Sequence, residues 1–104
     1  MKVFVEAKNF VVTSGLRQFV SNQADKLSRV ARKVTAVRVY LESVGKKTND
    51  PKAKKVTFRI DVPGGSLIIK KKGVQMYETI ASTSRAALRT LRKQSEKIRS
   101  LRRH

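Results

Sequence analysis

Residues 2–44 read KVFVEAKNFVVTSGLRQFVSNQADKLSRVARKVTAVRVYLESV, and their spacing decides the fold. In Lys2–Lys8, Val3, Val5 and Ala7 alternate with Phe4, Glu6 and Lys8, the period of a strand with one buried face. Residues 9–12 form a connection. Thr13 or Ser14 then offers a hydroxyl that caps a helix by accepting an orphan backbone N–H. From Ser14 to about Lys33, Leu16, Phe19, Val20, Gln23, Leu27, Val30, Ala31 and Val34 recur at helical spacing, within an arc of about 120°. Thr35–Val44 returns to alternation, with Val37, Val39 and Leu41 on one side. A strand, an amphipathic crossover helix and a second strand predict parallel neighbours joined in the right-handed sense.

The remaining chain adds short connections and therefore antiparallel strands. Gly45–Lys54 is a polar loop containing Asn49, Asp50 and Pro51. Lys55–Val62 alternates Val56, Phe58, Ile60 and Val62 against Thr57, Arg59 and Asp61. Pro63-Gly64-Gly65 reads as a hairpin turn. Ser66–Lys72 is the fourth strand, with Leu67 and Ile69 inward. A second helix starts near Val74 or Gln75. Its buried stripe is Met76, Ile80, Ser84, Ala87, Leu88, Leu91 and Ile98, and the stripe fades after Leu91. Tyr77 is read as filling the gap between this helix and the sheet. The predicted fold is α+β in the order β-α-β-β-β-α, a four-stranded mixed sheet with two helices packed on one face. A helix to about Ser100 would be about 39 Å long, against a diameter of about 33 Å for a compact chain of this length. Residues 1–104 are thus expected to be a single domain whose basic end, about 94–104, projects or frays.

Composition narrows the function. The chain has 104 residues, 25 Lys or Arg, 7 Asp or Glu and a formal net charge of +18. There is no Cys, and the one His is residue 104. Thiolate metal sites, cysteine nucleophiles and His clusters are excluded, and His-based catalysis is not expected. No apolar run approaches the roughly 20 residues of a membrane span. Met1–Lys8 does not read as a signal peptide, because Glu6 and Lys8 interrupt it. Such a charge points to a polyanion, nucleic acid first. The basic residues are also too widely spread for a single membrane-binding amphipathic helix.

Of the carboxylates, Glu6, Glu42 and Asp61 share the outward sheet face with Lys and Arg, which reads as cross-strand charge pairing rather than an acid/base pair. Pro63-Gly64-Gly65 lacks the spacing of a phosphate-binding loop. The stronger signal lies on the helices. Arg85, Arg89, Arg92, Arg99 and Arg103 fall within a sector of roughly 80° beside the apolar stripe, with Lys93 and Lys97 further round. Lys26, Arg29, Arg32 and Lys33 form an exposed set on the first helix. Together they predict one broad cationic surface with a groove between the helices. A helix face charged only for solubility usually mixes signs, whereas Glu96 is the sole acid after Glu78. Lys46, Lys47, Lys52, Lys54, Lys55 and the Lys70-Lys71-Lys72 triplet are less specific, serving equally to touch phosphate or to guard an edge strand. Phe4 and Tyr40, on the outward face, either stack on bases or pack on the surface.

In their order and spacing these residues resemble the ribosome hibernation-promoting factor and ribosome-associated inhibitor family, in its short form. The resemblance is carried by Asn9, Val12-Thr13, Leu16-Arg17, Phe19-Val20 and Lys26-Leu27 after the first strand. It continues with Gly64-Gly65 before the last strand, then Met76-Tyr77 and Ile80, then Arg89, Leu91, Lys93 and Lys97. It spans nearly the whole chain. Departures are Gln75 and Ala81 where the family usually has Asp, the Lys70–Lys72 run, and a longer, more basic Gly45–Lys54 loop.

The resemblance implies a fold similar to double-stranded-RNA-binding domains. It implies binding to the small ribosomal subunit at the subunit interface, through 16S rRNA, in the channel that mRNA and tRNA occupy. The function so implied is translation inhibition and protection of idle ribosomes in stress and stationary phase, in the bacterial cytoplasm. No enzyme activity, cofactor, metal, small-molecule substrate or membrane partner is expected, and the free chain is expected to be monomeric. The extra C-terminal domain by which long-form members pair ribosomes is expected to be missing after His104. RNA-binding residues carried over from the resemblance are Lys26, Arg89, Lys93 and Lys97; helix geometry adds Arg29, Arg32, Arg85 and Arg92. The alternative is a stand-alone double-stranded-RNA-binding module or a basic structural ribosomal protein.

Overall fold

The computed structural model describes residues 1–31, 33–44 and 53–102, with residues 95–102 described for their backbone alone. The elements are β1 (Lys2–Lys8), α1 (Ser14–Val30), β2 (Ala36–Ser43), β3 (Lys54–Val62), β4 (Gly65–Gly73) and α2 (Met76–Arg102). They form one four-stranded sheet in the order β1-β2-β3-β4. β1 and β2 run parallel, and the other neighbours are antiparallel. Both helices cover one face, as the alternation required.

Local chemistry sets each boundary. Asn9 leaves β1 with φ of 55°, a left-handed conformation that Asn tolerates better than most residues. Thr13 is the N-cap of α1, its hydroxyl accepting from Leu16 N at 3.1 Å. Gln75 caps α2, where Oε1 accepts from Glu78 N at 2.8 Å. Between β3 and β4, Pro63 precedes Gly64 at φ 90°, the residue pattern of a type II turn.

Helix α1 ends at Val30, three residues short of the expected Lys33. Ala31 leaves the helical region, and Val34 N donates back to Ala31 O at 3.1 Å. That turn seats Val34 in the core and lets Thr35 N and Oγ1 both donate to Asp61 O. Anchoring β2 to β3 outweighs the extra helical turn that the periodicity allowed.

The core is continuous across the sheet and both helices. Leu16, Val20, Ala24 and Leu27 of α1 meet Val37, Val39 and Leu41 of β2. Val56, Phe58 and Ile60 of β3 meet Met76, Ile80, Ala87 and Leu91 of α2. Each fully buried Leu, Ile, Val or Phe contributes about 1.5–3 kcal/mol. The edge strands contribute less, since Val3, Val5, Leu67 and Ile69 are half-buried and Ala7 is exposed. Thr79 and Thr83 are buried although their hydroxyls are polar. Each donates to the carbonyl four residues earlier, Gln75 O and Thr79 O, at 2.7 Å. Tyr77 does not fill the helix–sheet gap. It is 41% exposed and packs on Phe19 of α1, ring centroids 5.1 Å apart. The expected stripe member Ile98 and the side chains of the 94–104 end beyond Gln94 lie outside the described residues.

Gly73 lets β4 come close to Thr79 of α2. A Cβ there would collide with Thr79 Oγ1 and stand 3.2 Å from Thr79 Cβ. Because that hydroxyl is held by Gln75 O, it has little room to yield. Gly73→Ala should therefore cost about 1–3 kcal/mol, read as a lowered melting temperature. Gly65→Ala, where a Cβ meets nothing within 4 Å, should leave stability nearly unchanged.

On the open face of the sheet, Asp61 gathers the charges. Ser66 Oγ donates to its Oδ1 at 2.8 Å, and Arg38 Nε and Arg59 Nε each lie 3.4 Å from the carboxylate. The Ser66 hydroxyl holds the Asp61 carboxyl below its ordinary value; desolvation opposes this, and the Arg38 hydrogen bond and the Arg59 and Arg38 charges reinforce it. With the folded value below the unfolded one, the stabilisation is complete at neutral pH. It fades as pH falls through the ordinary value of 3.8 and is gone below the lowered one. The melting-temperature gap between wild type and Asp61→Asn should thus close as the solution is acidified. A gap that stays constant into strong acid would contradict the assignment.

Candidate nucleic-acid interface

Helix α2 turns its apolar stripe to the sheet, and the 3.6-residue repeat sends Arg85, Arg89, Arg92 and Lys93 to the other side. All four are exposed. With half-buried Leu88 they line one shallow depression of about 450 Å³. The two ion pairs among the described residues both end on Asp61, so no described carboxylate neutralises these cations. The depression is thus a cluster of guanidinium and ammonium groups around an apolar patch. Guanidinium forks match phosphate oxygens in pairs and also lie flat on base faces.

Lys26 and Arg29 are exposed on α1. The strand order makes the two helices run in the same direction, each returning antiparallel to the strand before it. The Phe19–Tyr77 contact sets the sixth residue of α1 beside the second of α2. Lys26, seven residues past Phe19, lies two turns further along the flank of α1 that Phe19 turns toward α2. Arg29 lies further round that flank. Neither lines the depression, which is built from α2 alone. The described depression that gathers these cations lies on the solvent face of α2. Arg32 lies outside the described residues. So does the side chain of Lys97, of which only the helical backbone is described.

Helical spacing puts Leu88 in the core stripe; in the structure it sits at the border and forms part of the lining. On the sheet's open face, Arg38 lies over one side of the Phe4 ring at 5.0 Å, and the ring stays 42% exposed. Asp61 makes the cross-strand pair expected of the outward acids with Arg38 of β2, and a second pair within β3 with Arg59, whereas Glu6 and Glu42 form no ion pair among the described residues. Among the described residues no group of three or more His, Asp or Glu is placed to hold a metal ion. None of their helices is long and apolar enough to cross a membrane.

Residues 3–99 match the model of the family described as Sigma 54 modulation protein / S30EA ribosomal protein. The chain belongs to that family. It is similar to the ribosome hibernation promotion factor of Deinococcus radiodurans, 29% identical over 89 residues, which are 86% of this chain and 46% of that protein. The chain thus spans about half the length of this curated relative. Two solved structures share its fold. The N-terminal domain of Protein Y from Thermus thermophilus superposes with a TM-score of 0.76 at 19% identity, covering 89% of this chain and 98% of that one. A ribosomal subunit interface protein from Coxiella burnetii does so with a TM-score of 0.67 at 14% identity, covering 96% and 99%. The family match and the shared β-α-β-β-β-α fold agree with the resemblance read from the sequence.

Proposed function

We propose that residues 1–104 act as one ribosome-binding domain of a hibernation factor. It binds the small ribosomal subunit through 16S rRNA, occupies the mRNA and tRNA channel, and so inhibits translation while protecting idle ribosomes in the cytoplasm. The observation that carries this reading is the α2 depression, where Arg85, Arg89, Arg92 and Lys93 converge without a described acidic partner. Membership of a ribosomal-protein family and similarity to a hibernation promotion factor supply the class of polyanion.

The mechanism is occlusion, which needs no catalytic group. Cationic side chains displace counterions condensed on rRNA phosphates, and their release drives association. A folded domain 27 by 20 Å in its two shorter dimensions then fills space that mRNA and tRNA would use. Lys26 and Arg29 extend the contact to α1; Arg32 and Lys97 are proposed with them from their places in the sequence.

A toeprinting assay tests the occlusion. Small subunits saturated with the protein should fail to give the initiation toeprint when mRNA and initiator tRNA are added. An unchanged toeprint with the protein still bound would overturn occlusion in favour of a double-stranded-RNA-binding or structural ribosomal protein.

A further inference from the structure

The sheet's open face carries a second cluster that the α2 surface does not use. The strand register places Glu6, Tyr40, Thr57 and Lys70 in one row across the four strands. The next row is Lys8, Glu42, Lys55 and Lys72. Tyr40, Glu42, Lys55, Thr57, Lys70 and Lys72 line a depression of about 380 Å³. Tyr40 forms one wall and the three ammonium groups come from β3 and β4. Adjacent strands are about 4.8 Å apart, so Lys70 is about 10 Å from Tyr40 at the backbone, and the Lys55–Lys72 row lies about 7 Å along the strands.

Fold stability does not account for this arrangement. Lys55 and Lys72 are directly opposed, and like charges so placed destabilise a sheet. Glu42 stands opposite Lys55 yet forms no ion pair with it. Guarding an exposed edge explains lysines on β4, but Lys55 is on β3, a central strand. Neighbouring Lys54 shows the contrast: its Nζ donates to Ser43 Oγ at 2.8 Å and lies 5.4 Å from the Phe10 ring centroid. Among the described residues, Lys55, Lys70 and Lys72 have no such hydrogen-bond or ion-pair partner. Of the two aromatics on this face, Tyr40 is the one that lines the cationic depression, whereas Phe4 carries Arg38 on one side of its ring.

We propose that this depression is a second RNA subsite, on the face opposite the helices, that takes a segment of single-stranded RNA. One base stacks on Tyr40, and the flanking phosphates are held by Lys55, Lys70 and Lys72. Aromatic side chains beside a cationic track are the general means of holding single strands with little sequence preference. The surplus of ammonium groups over Glu42 selects an anionic strand, and the ring supplies the base contact that a phosphate alone would not need.

Intrinsic fluorescence tests the subsite without ribosomes. The chain has two Tyr and no Trp, so in a Tyr77→Phe background Tyr40 is the sole reporter. Titration with a short oligouridylate at low salt should quench Tyr40 to saturation. Lys55→Ala/Lys70→Ala/Lys72→Ala in that background should weaken the titration about tenfold or more. Arg85→Ala/Arg89→Ala/Arg92→Ala should leave the quenching in place, since those residues lie on the other face. With Arg85, Arg89 and Arg92 replaced by Ala to silence the α2 surface, anisotropy of a labelled oligouridylate should show affinity kept by Tyr40→Phe and weakened about tenfold by Tyr40→Ala. The proposal is overturned by an absence of quenching, by quenching that ignores the three lysines or vanishes with the helix arginines, or by equal affinities of the two Tyr40 variants.

Discussion

Replacing Arg85, Arg89, Arg92 and Lys93 together with Ala should lower affinity for small ribosomal subunits about a thousandfold. A charged side chain bound to phosphate contributes about 1 kcal/mol or more, so four give about 4 kcal/mol, and each 1.4 kcal/mol is a factor of ten. The dependence on salt should change with the affinity. Every phosphate left without its cation takes a little under one unit from the slope of log affinity against log salt concentration. Co-sedimentation with small subunits across a salt series measures both quantities. All four residues are exposed and lie off the core, and their loss relieves charge repulsion, so the variant should melt at or above the wild-type temperature. A folded variant that sediments like the wild type at every salt concentration would remove the α2 depression from the interface.

The largest effect on stability should come from Phe58→Ala. Phe58 is fully buried at the centre of β3, paired with Val39 on one side and Ile69 on the other. Truncating such a ring costs about 3–5 kcal/mol, the forfeited burial plus the cavity it leaves. Domains of this size have about 5–15 kcal/mol in total, and here the net charge of +18 already opposes compaction. At about 4–8 °C per kcal/mol, the melting temperature should fall by at least about 12 °C. Added anion should recover part of that fall by screening the repulsion. A fall of a degree or two would mean that β3 is not the centre of the core.

Most of the fold was legible because period alone separates the elements. Val37, Val39 and Leu41 alternate, and Leu16, Val20 and Leu27 recur at helical spacing. No other arrangement buries both sets with connections so short. The departures occur where tertiary contacts decide. The end of α1 at Val30 is set by Thr35 bonding to Asp61, 26 residues away, which no local pattern encodes. Thr79 and Thr83 look polar in the sequence. They belong to the core because their hydroxyls are satisfied within their own helix, leaving a slim surface for close packing. Tyr77 resembles a core residue by its neighbours Met76 and Ile80, but its wheel position turns it toward α1.

The clustering of cations at the candidate site was legible in kind and less so in place. Helical spacing brought Arg85, Arg89, Arg92 and Lys93 to one side, and the structure closes them around Leu88. How Lys26 and Arg29 stand relative to them depends on the direction and alignment of the two helices, which follow from the strand order and the Phe19–Tyr77 contact. The cluster of Tyr40, Lys55, Lys70 and Lys72 depends on strand register. A slip of one residue would send half of those side chains to the other face. Composition could show a cationic excess without showing which lysines face one another.

A cryo-EM reconstruction of the small ribosomal subunit saturated with this protein tests the central claim most directly. The expected result is density for the domain in the mRNA and tRNA channel, with the α2 face that bears Arg85, Arg89, Arg92 and Lys93 against rRNA phosphates. Density elsewhere on the subunit, or a domain in the channel with that face turned to solvent, would contradict it.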